Sequence, residues 1–257
     1  MPGARDILYV SSTTDGVVGG VTFADEDILS YNRATGVWSM YFDGSDVGIT
    51  SDVDAFSVMS NGTILISVDT DGTITGFGTV DDSDILRFTP TSLGTNTAGT
   101  FTWYFDGSDV GLTATTEDVD AIGFAPNGRL IVSTSGAYGV GLLSGNGEDL
   151  LSFAATTTGS STSGTWSTYF DGSDVGLSNT VSEQINGIWI DSSTGKIYLT
   201  TSGAFSVTGV SGNGSDIFIC TPGVLGATTT CTYSSYWQGT SAGFGSQDTD
   251  GIHIIKQ

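Results

Sequence analysis

The chain has 257 residues, with 28 acidic against 6 basic side chains, a net charge of −22 and 38 glycines. A surface this acidic repels phosphate backbones and anionic lipid, which excludes nucleic acid and membrane surfaces as natural partners and favours divalent cations. No apolar run reaches the roughly 20 residues that span a bilayer, and the opening MPGAR reads as a trimmed start with no charged-then-apolar leader.

Short runs rich in β-branched and aromatic residues, bounded by Gly, Asp, Asn and Ser, predict strands along the whole chain. In order these are ILYV (7–10), DILSY (27–31) and GVWSMYF (36–42). Next come VDAFSV (53–58), TILIS (63–67), DILRF (84–88) and GTFTWYF (99–105). The same order recurs as VDAIGF (119–124), RLIVS (129–133), DLLSF (149–153) and GTWSTYF (164–170). A last set holds INGIWI (185–190), KIYLT (196–200), DIFIC (216–220) and CTYSSYW (231–237), and TDGIHI (249–254) ends the chain. No 3.6-residue periodicity is sustained, so helix is expected to be nearly absent.

The nonapeptide YFDGSDVGI at 41–49 returns as YFDGSDVGL at 104–112 and 169–177, then as YWQGTSAGF, without its acids, at 236–244. The intervals between its first tyrosines are 63, 65 and 67 residues, and 62 remain when the two chain ends are joined. The chain thus holds four complete repeats, one of them split between its ends, each with four strands. That pattern predicts an all-β, four-bladed β-propeller closed by N- and C-terminal strands sharing one blade. The expected division of the single domain, 1–257, is blade one at 7–42 plus 248–255, blade two at 52–105, blade three at 118–170 and blade four at 183–237. A β-sandwich or a pair of small barrels gives no reason for a whole number of repeats.

The only cysteines, Cys220 and Cys231, occupy columns that hold Tyr31 with Gly36, Phe88 with Gly99 and Phe153 with Gly164 in the other repeats. An aromatic ring covering a glycine across a hairpin is a recognised packing device, and a disulfide fills the same place. The paired change predicts a Cys220–Cys231 disulfide and hence an oxidising compartment.

Two acidic columns are candidate metal ligands. Asp54, Asp120, Asn186 and Asp250 sit on the predicted inner strands, followed by the small residues Ala55, Ala121, Gly187 and Gly251 that a crowded four-fold axis requires. Asp27, Asp84, Asp149 and Asp216 open the third strands behind the loops ADED, DDSD, GNGED and GNGSD. A ring of oxygens suits one structural Ca²⁺, which takes six to eight such ligands; the competing reading is that these side chains cap backbone amides. The repeated Asp residues of YFDGSDVG read as turn builders. The stretch Asp69-Thr-Asp71-Gly is half of a calcium loop, without the bidentate Glu.

DAF or DAI on an inner strand in four blades resembles, in outline, the hemopexin-type propeller, which implies ions in the central channel, although hemopexin repeats are shorter. More closely, YFDGSDVGL with VDAI and CTPxxLGxxTxC resembles a tandem repeat of secreted bacterial proteins. That resemblance spans nearly the whole chain, implies export and carries no known active site.

The residues lean away from an enzyme without deciding the matter, and no catalytic residue is assigned. Gly239, Ser241 and Gly243 match GxSxG, but the segment is the decayed nonapeptide and lacks the strand-to-helix turn of a nucleophile elbow. The single histidine, His253, sits among apolar residues and reads as core. The aromatic column Trp38, Phe101, Trp166 and Tyr233 reads as blade packing in preference to sugar platforms. The expectation is therefore a secreted or cell-surface, monomeric, calcium-binding module for a glycan or another surface protein. The alternative is a secreted carbohydrate-active hydrolase or lyase using channel-mouth acids, for which Glu183 is the acid to mutate.

Overall fold

The second strand of each repeat is apolar on both faces, which only a sheet sandwiched between two others can accommodate. The computed structural model, which describes residues 5–257, is built in that way. Ile7–Ser12, Ile64–Ser67, Leu130–Thr134 and Ile197–Thr200 are buried almost throughout. The outermost strands, such as Ala98–Phe105 and Ser163–Phe170, alternate between exposed and partly covered residues.

Four antiparallel four-stranded sheets form the blades of a propeller. From inside to outside, blade one is Thr249–Ile255, Ile7–Ser12, Ile28–Asn32 and Val37–Phe42. Blade two is Ala55–Val58, Ile64–Ser67, Ile85–Ser92 and Ala98–Phe105. Blade three is Val119–Phe124, Leu130–Thr134, Leu150–Thr157 and Ser163–Phe170. Blade four is Gly187–Ile190, Ile197–Thr200, Asp216–Val224 and Thr230–Gln238. The ends close the ring, with Ile7 opposite Ile255, Leu8 opposite Ile254 and Tyr9 opposite His253. Among the described residues helix is confined to 3₁₀ turns of three or four residues.

One feature escaped the sequence reading. Between its second and third strands each blade carries a small two-stranded ribbon: Gly16–Val18 with Val21–Phe23, Gly72–Ile74 with Gly78–Val80, Tyr138–Val140 with Leu143–Gly145, and Phe205–Val207 with Val210–Gly212. Strands of three residues are too short to show a period.

The core is divided among the four junctions between blades, each with its own apolar cluster. Phenylalanines from adjoining blades meet edge to face there, Phe42 with Phe88 and Phe105 with Phe153, both at 5.2 Å between centroids. Nearer the axis one backbone bond recurs four times: the N–H groups of Val53, Val119, Ile185 and Thr249 donate to the carbonyls of Asp25, Asp82, Gly147 and Gly214 of the preceding blade.

The cysteines form the expected disulfide, with 5.4 Å between Cα atoms. The register refines the geometry, because Cys220 lies opposite Tyr233 and Cys231 opposite Pro222, so the two columns are diagonal neighbours. A diagonal pair still permits the aromatic-on-glycine contact. A Cβ on Gly99 would lie 2.4 Å from Phe88 Cζ, and one on Gly164 equally close to Phe153 Cζ.

Candidate metal centre on the propeller axis

Inner strands converge on the axis, and their first residues bring carboxylates together. Asp54, Asp120 and Asp250 are all buried there, with Asp118 beside them and Asp52 half-buried two residues ahead of Asp54. Crowding fixes the small residues that follow: a Cβ on Gly187 would sit 2.2 Å from the Asp250 carbonyl, and one on Gly251 would strike the Phe56 ring at 2.5 Å.

The cluster contains no compensating base. Burial, the largest cause, pushes the carboxyls of Asp52, Asp118, Asp120 and Asp250 up, and the charged neighbours that push them further are all other carboxylates. Asp54 lies within hydrogen-bonding reach of both Asp118 and Asp120 and is raised to about 6, again chiefly by burial. Within this cluster four buried carboxylate oxygens accept from no N–H or hydroxyl, Asp52 Oδ1, Asp54 Oδ2, Asp118 Oδ1 and Asp250 Oδ2, and a fifth such oxygen, Glu148 Oε2, lies outside it. Orphaned buried acceptors are costly and call for a partner.

Asn186, the fourth member of the inner column, is turned differently. Its Nδ2 donates to the Thr249 carbonyl at 2.7 Å and to Asp250 Oδ1 at 3.4 Å, while its Oδ1 accepts from the Thr200 hydroxyl at 2.7 Å. It orients Asp250 and leaves Oδ2 of that residue open. Asp52 and Asp118 were not among the expected ligands. Their signal was the DVD spacing at 52–54 and 118–120, since alternate residues of an extended chain share a face.

The second acidic column is distributed, one residue per blade. Asp27 accepts the N–H groups of Ala24 and Gly44, Asp84 those of Asp81 and Gly107, Asp149 those of Asn146 and Gly172, and Asp216 those of Asn213 and Gly239. Each carboxylate uses both oxygens to clamp the loop before its strand to the turn after the outer strand. They do not join the axial group.

Glu183 is committed in a similar way, accepting from Ser178 and from the Ser206 N–H as Glu117 does from Thr113, Ala114 and Gly139. Burial works to raise the Glu183 pKa, but these bonds outweigh it and hold the carboxyl below its usual range, unsuited to a proton donor. Asp71 meets Asp81 and Asp82 with oxygens within 4.8 Å of one another, on the exposed foot of the blade-two ribbon. Ser241 follows its strand in a 3₁₀ turn, and His253 Nδ1 accepts the Val58 N–H at 3.3 Å.

The nonapeptide acids tie blades together. Asp43 Oδ1 accepts from Ser45 and builds the turn, while Asp46 Oδ2 accepts the Thr97 N–H of the next blade at 2.8 Å. Thr97 Oγ1 in return accepts the Asp43 N–H at 2.9 Å. The same clasp joins Asp106 and Asp109 to Thr162, and Asp171 and Asp174 to Thr229. At the fourth junction the receiving hairpin is short, Ile28–Asn32 turning back into Val37–Phe42, and its one turn threonine, Thr35, spends its N–H on Asn32. The acids vanish there, and Arg33 Nη2 donates to the Tyr236 carbonyl at 2.9 Å with its guanidinium over the Tyr236 ring.

Fold and axis together define a closed four-bladed propeller with an acidic core of oxygen donors. No family model matches the chain, and no curated protein does. Among solved structures it is similar to the extracellular domain of BT4673 from B. thetaiotaomicron, described as a one-component system, with 12% identity, a TM-score of 0.30, and coverage of 90% of this chain and 36% of that one. A second structure of that domain, described as part of a hybrid two-component system, matches with 10% identity and a TM-score of 0.23, covering 89% and 35%. The chain spans about a third of the length of these structures.

Proposed function

We propose that the protein is an extracellular, non-enzymatic binding module whose blades are pinned at the axis by one Ca²⁺. The observation that carries this reading is the set of four orphaned oxygens on Asp52, Asp54, Asp118 and Asp250. Hard oxygen donors without a neighbouring base suit Ca²⁺, which tolerates irregular geometry and completes its shell with water. Asp52, Asp54, Asp118, Asp120 and Asp250 are the acids that would hold the ion, and Asn186 would orient Asp250. The acids would draw closer than they stand, since among the described residues it is Asp71, Asp81 and Asp82 that bring three oxygens within 4.8 Å of one another. The ion would supply the positive charge that five gathered carboxylates lack. The Cys220–Cys231 disulfide fits an oxidising compartment.

A ligand bound only by the folded state stabilises it by mass action, by about 2.7 kcal/mol at a hundredfold excess over Kd. For a chain of this size that raises the melting temperature by about 5–10 °C. Calcium added to chelator-treated protein should produce such a rise, with one ion per chain by calorimetry. An unchanged melt together with no heat of binding would refute the assignment.

A further inference from the structure

The junction between blades one and two lacks a contact that two of the other three make; the remaining one, at Tyr233, lacks it too but has no lengthened ribbon tip beside it. In blades one and three the outer strand presents an indole to the nonapeptide turn of the preceding blade. Trp38 Nε1 donates to the Ala242 carbonyl at 2.9 Å, and Trp166 Nε1 to the Val110 carbonyl at 3.0 Å. In blade two the corresponding residue is Phe101, which has no N–H, so the equivalent Val47 carbonyl receives no such donor. The space is an open groove of about 710 Å³, within the range of small-molecule sites.

A second irregularity meets it there. The ribbon tip of blade two is one residue longer than those of its neighbours and carries Phe77, which stands 6.0 Å from the Phe101 ring and 5.6 Å from Trp103. The Thr75 N–H ties this tip to the Gly48 carbonyl. Asp46 lines the same groove, with Oδ2 held by Thr97 and Oδ1 open. Thr50, Thr75 and Thr100 supply hydroxyls.

Two aromatic faces flanked by a carboxylate, a carbonyl and hydroxyls match one ligand chemistry, a ring with an apolar CH face and donor groups around its edge. Anions are repelled by Asp46 and by the net charge. A cationic amine would meet carboxylates over most of this surface, whereas the paired rings occur here. Resting on the reading of the protein as a binding module, we propose that this groove is the subsite for a neutral pyranose of a glycan chain, stacked on Phe101 and Phe77 and hydrogen-bonded to Asp46 and the Val47 carbonyl.

The test is an array of neutral oligosaccharides probed with the calcium-loaded protein, followed by calorimetry with the strongest hit. Phe101→Trp should rebuild the arrangement of Trp166, filling the groove while preserving or raising the melting temperature, and should weaken binding at least tenfold. Phe77→Ala, which truncates a half-buried ring packed on Phe101 and Trp103, should weaken it similarly while the protein still melts cooperatively a few degrees lower. Binding unchanged in both variants would overturn the groove while leaving the binding-module reading intact. No neutral glycan bound, or binding of cationic probes alone, would overturn it too, and the calcium melt would still decide the axial site separately.

Discussion

The three nonapeptide clasps can be removed one by one, and the fourth junction is a built-in control. Asp46→Ala, Asp109→Ala and Asp174→Ala each delete a charge-assisted bond to the N–H of a buried threonine; Thr97, Thr162 and Thr229 are 4%, 5% and 2% exposed. Orphaning such a donor costs about 1–3 kcal/mol, and the exposure of the carboxylates discounts this to about 1 kcal/mol each. The junctions share no partners, so the effects should add to about 3 kcal/mol in the triple variant. That corresponds to a fall of about 6–12 °C in melting temperature. Removing three negative charges from a chain of net charge −22 also relieves repulsion. The melts therefore belong at about 0.5 M salt, where the screening length is only a few ångströms. Ser241→Asp, which restores the acid where the Thr35 N–H is already bonded to Asn32, should change stability by less than about 0.5 kcal/mol. A triple variant melting within 2 °C of the parent, where about 6–12 °C is expected, or a Ser241→Asp gain equal to one clasp, would refute the account.

Other expectations follow from the same contacts. Reducing Cys220–Cys231, which closes a loop with a sequence separation of 11, should cost up to about 3 kcal/mol. Cys220→Phe with Cys231→Gly should recover part of this loss under reductant by restoring the ring-on-glycine pair of Phe88 and Gly99, whereas Cys231→Gly alone should melt below the reduced parent. At the axis, Asp120→Asn should raise the melting temperature in chelator, by relieving repulsion, and lower it in calcium, by removing a ligand; the same direction in both buffers would contradict the metal reading. His253 sits between the Tyr9 and Trp189 rings, and burial holds its pKa down at about 4. A folded-state pKa below the unfolded 6.5 means that stability is present above pH 6.5 and lost as pH falls toward 4. The loss is at most about 3 kcal/mol, less for the part of the ring edge that is exposed. His253→Gln should remove that component, so the gap between parent and variant in denaturant melts should narrow from pH 7 to 4.5; parallel curves would show that the ring does not titrate this way.

The ring closure, the blades and the disulfide were legible because each rests on repetition, and repeated columns such as Ile64–Ser67 and Leu130–Thr134 report the same environment several times. The ribbons were not, since Gly72–Ile74 and its counterparts are three residues long and held by pairings that no periodicity shows. Among the acids, composition could not separate the axial column from the clamps. Asp54 and Asp27 are chemically alike, and what distinguishes them is whether backbone N–H groups lie within reach, as the Ala24 and Gly44 amides do for Asp27. The loss of acids at 236–244 was visible, but its cause lay in another repeat, in the short hairpin after Asn32.

Pseudo-four-fold symmetry decides what a repeated residue can do. A column far from the axis is copied to four separate places, so Asp27, Asp84, Asp149 and Asp216 can only perform one local task four times. A column on the axis is copied to one place, and repetition alone then gathers Asp54, Asp120 and Asp250 into one buried cluster. Away from the axis a unique site must arise where the copies differ, and blade two differs at Phe101 and Phe77 together. The indoles of Trp38 and Trp166 close the equivalent space in blades one and three, and blade four carries Tyr233 there without a lengthened ribbon tip. A ligand seated on the Phe101 and Phe77 pair would therefore bind once per chain.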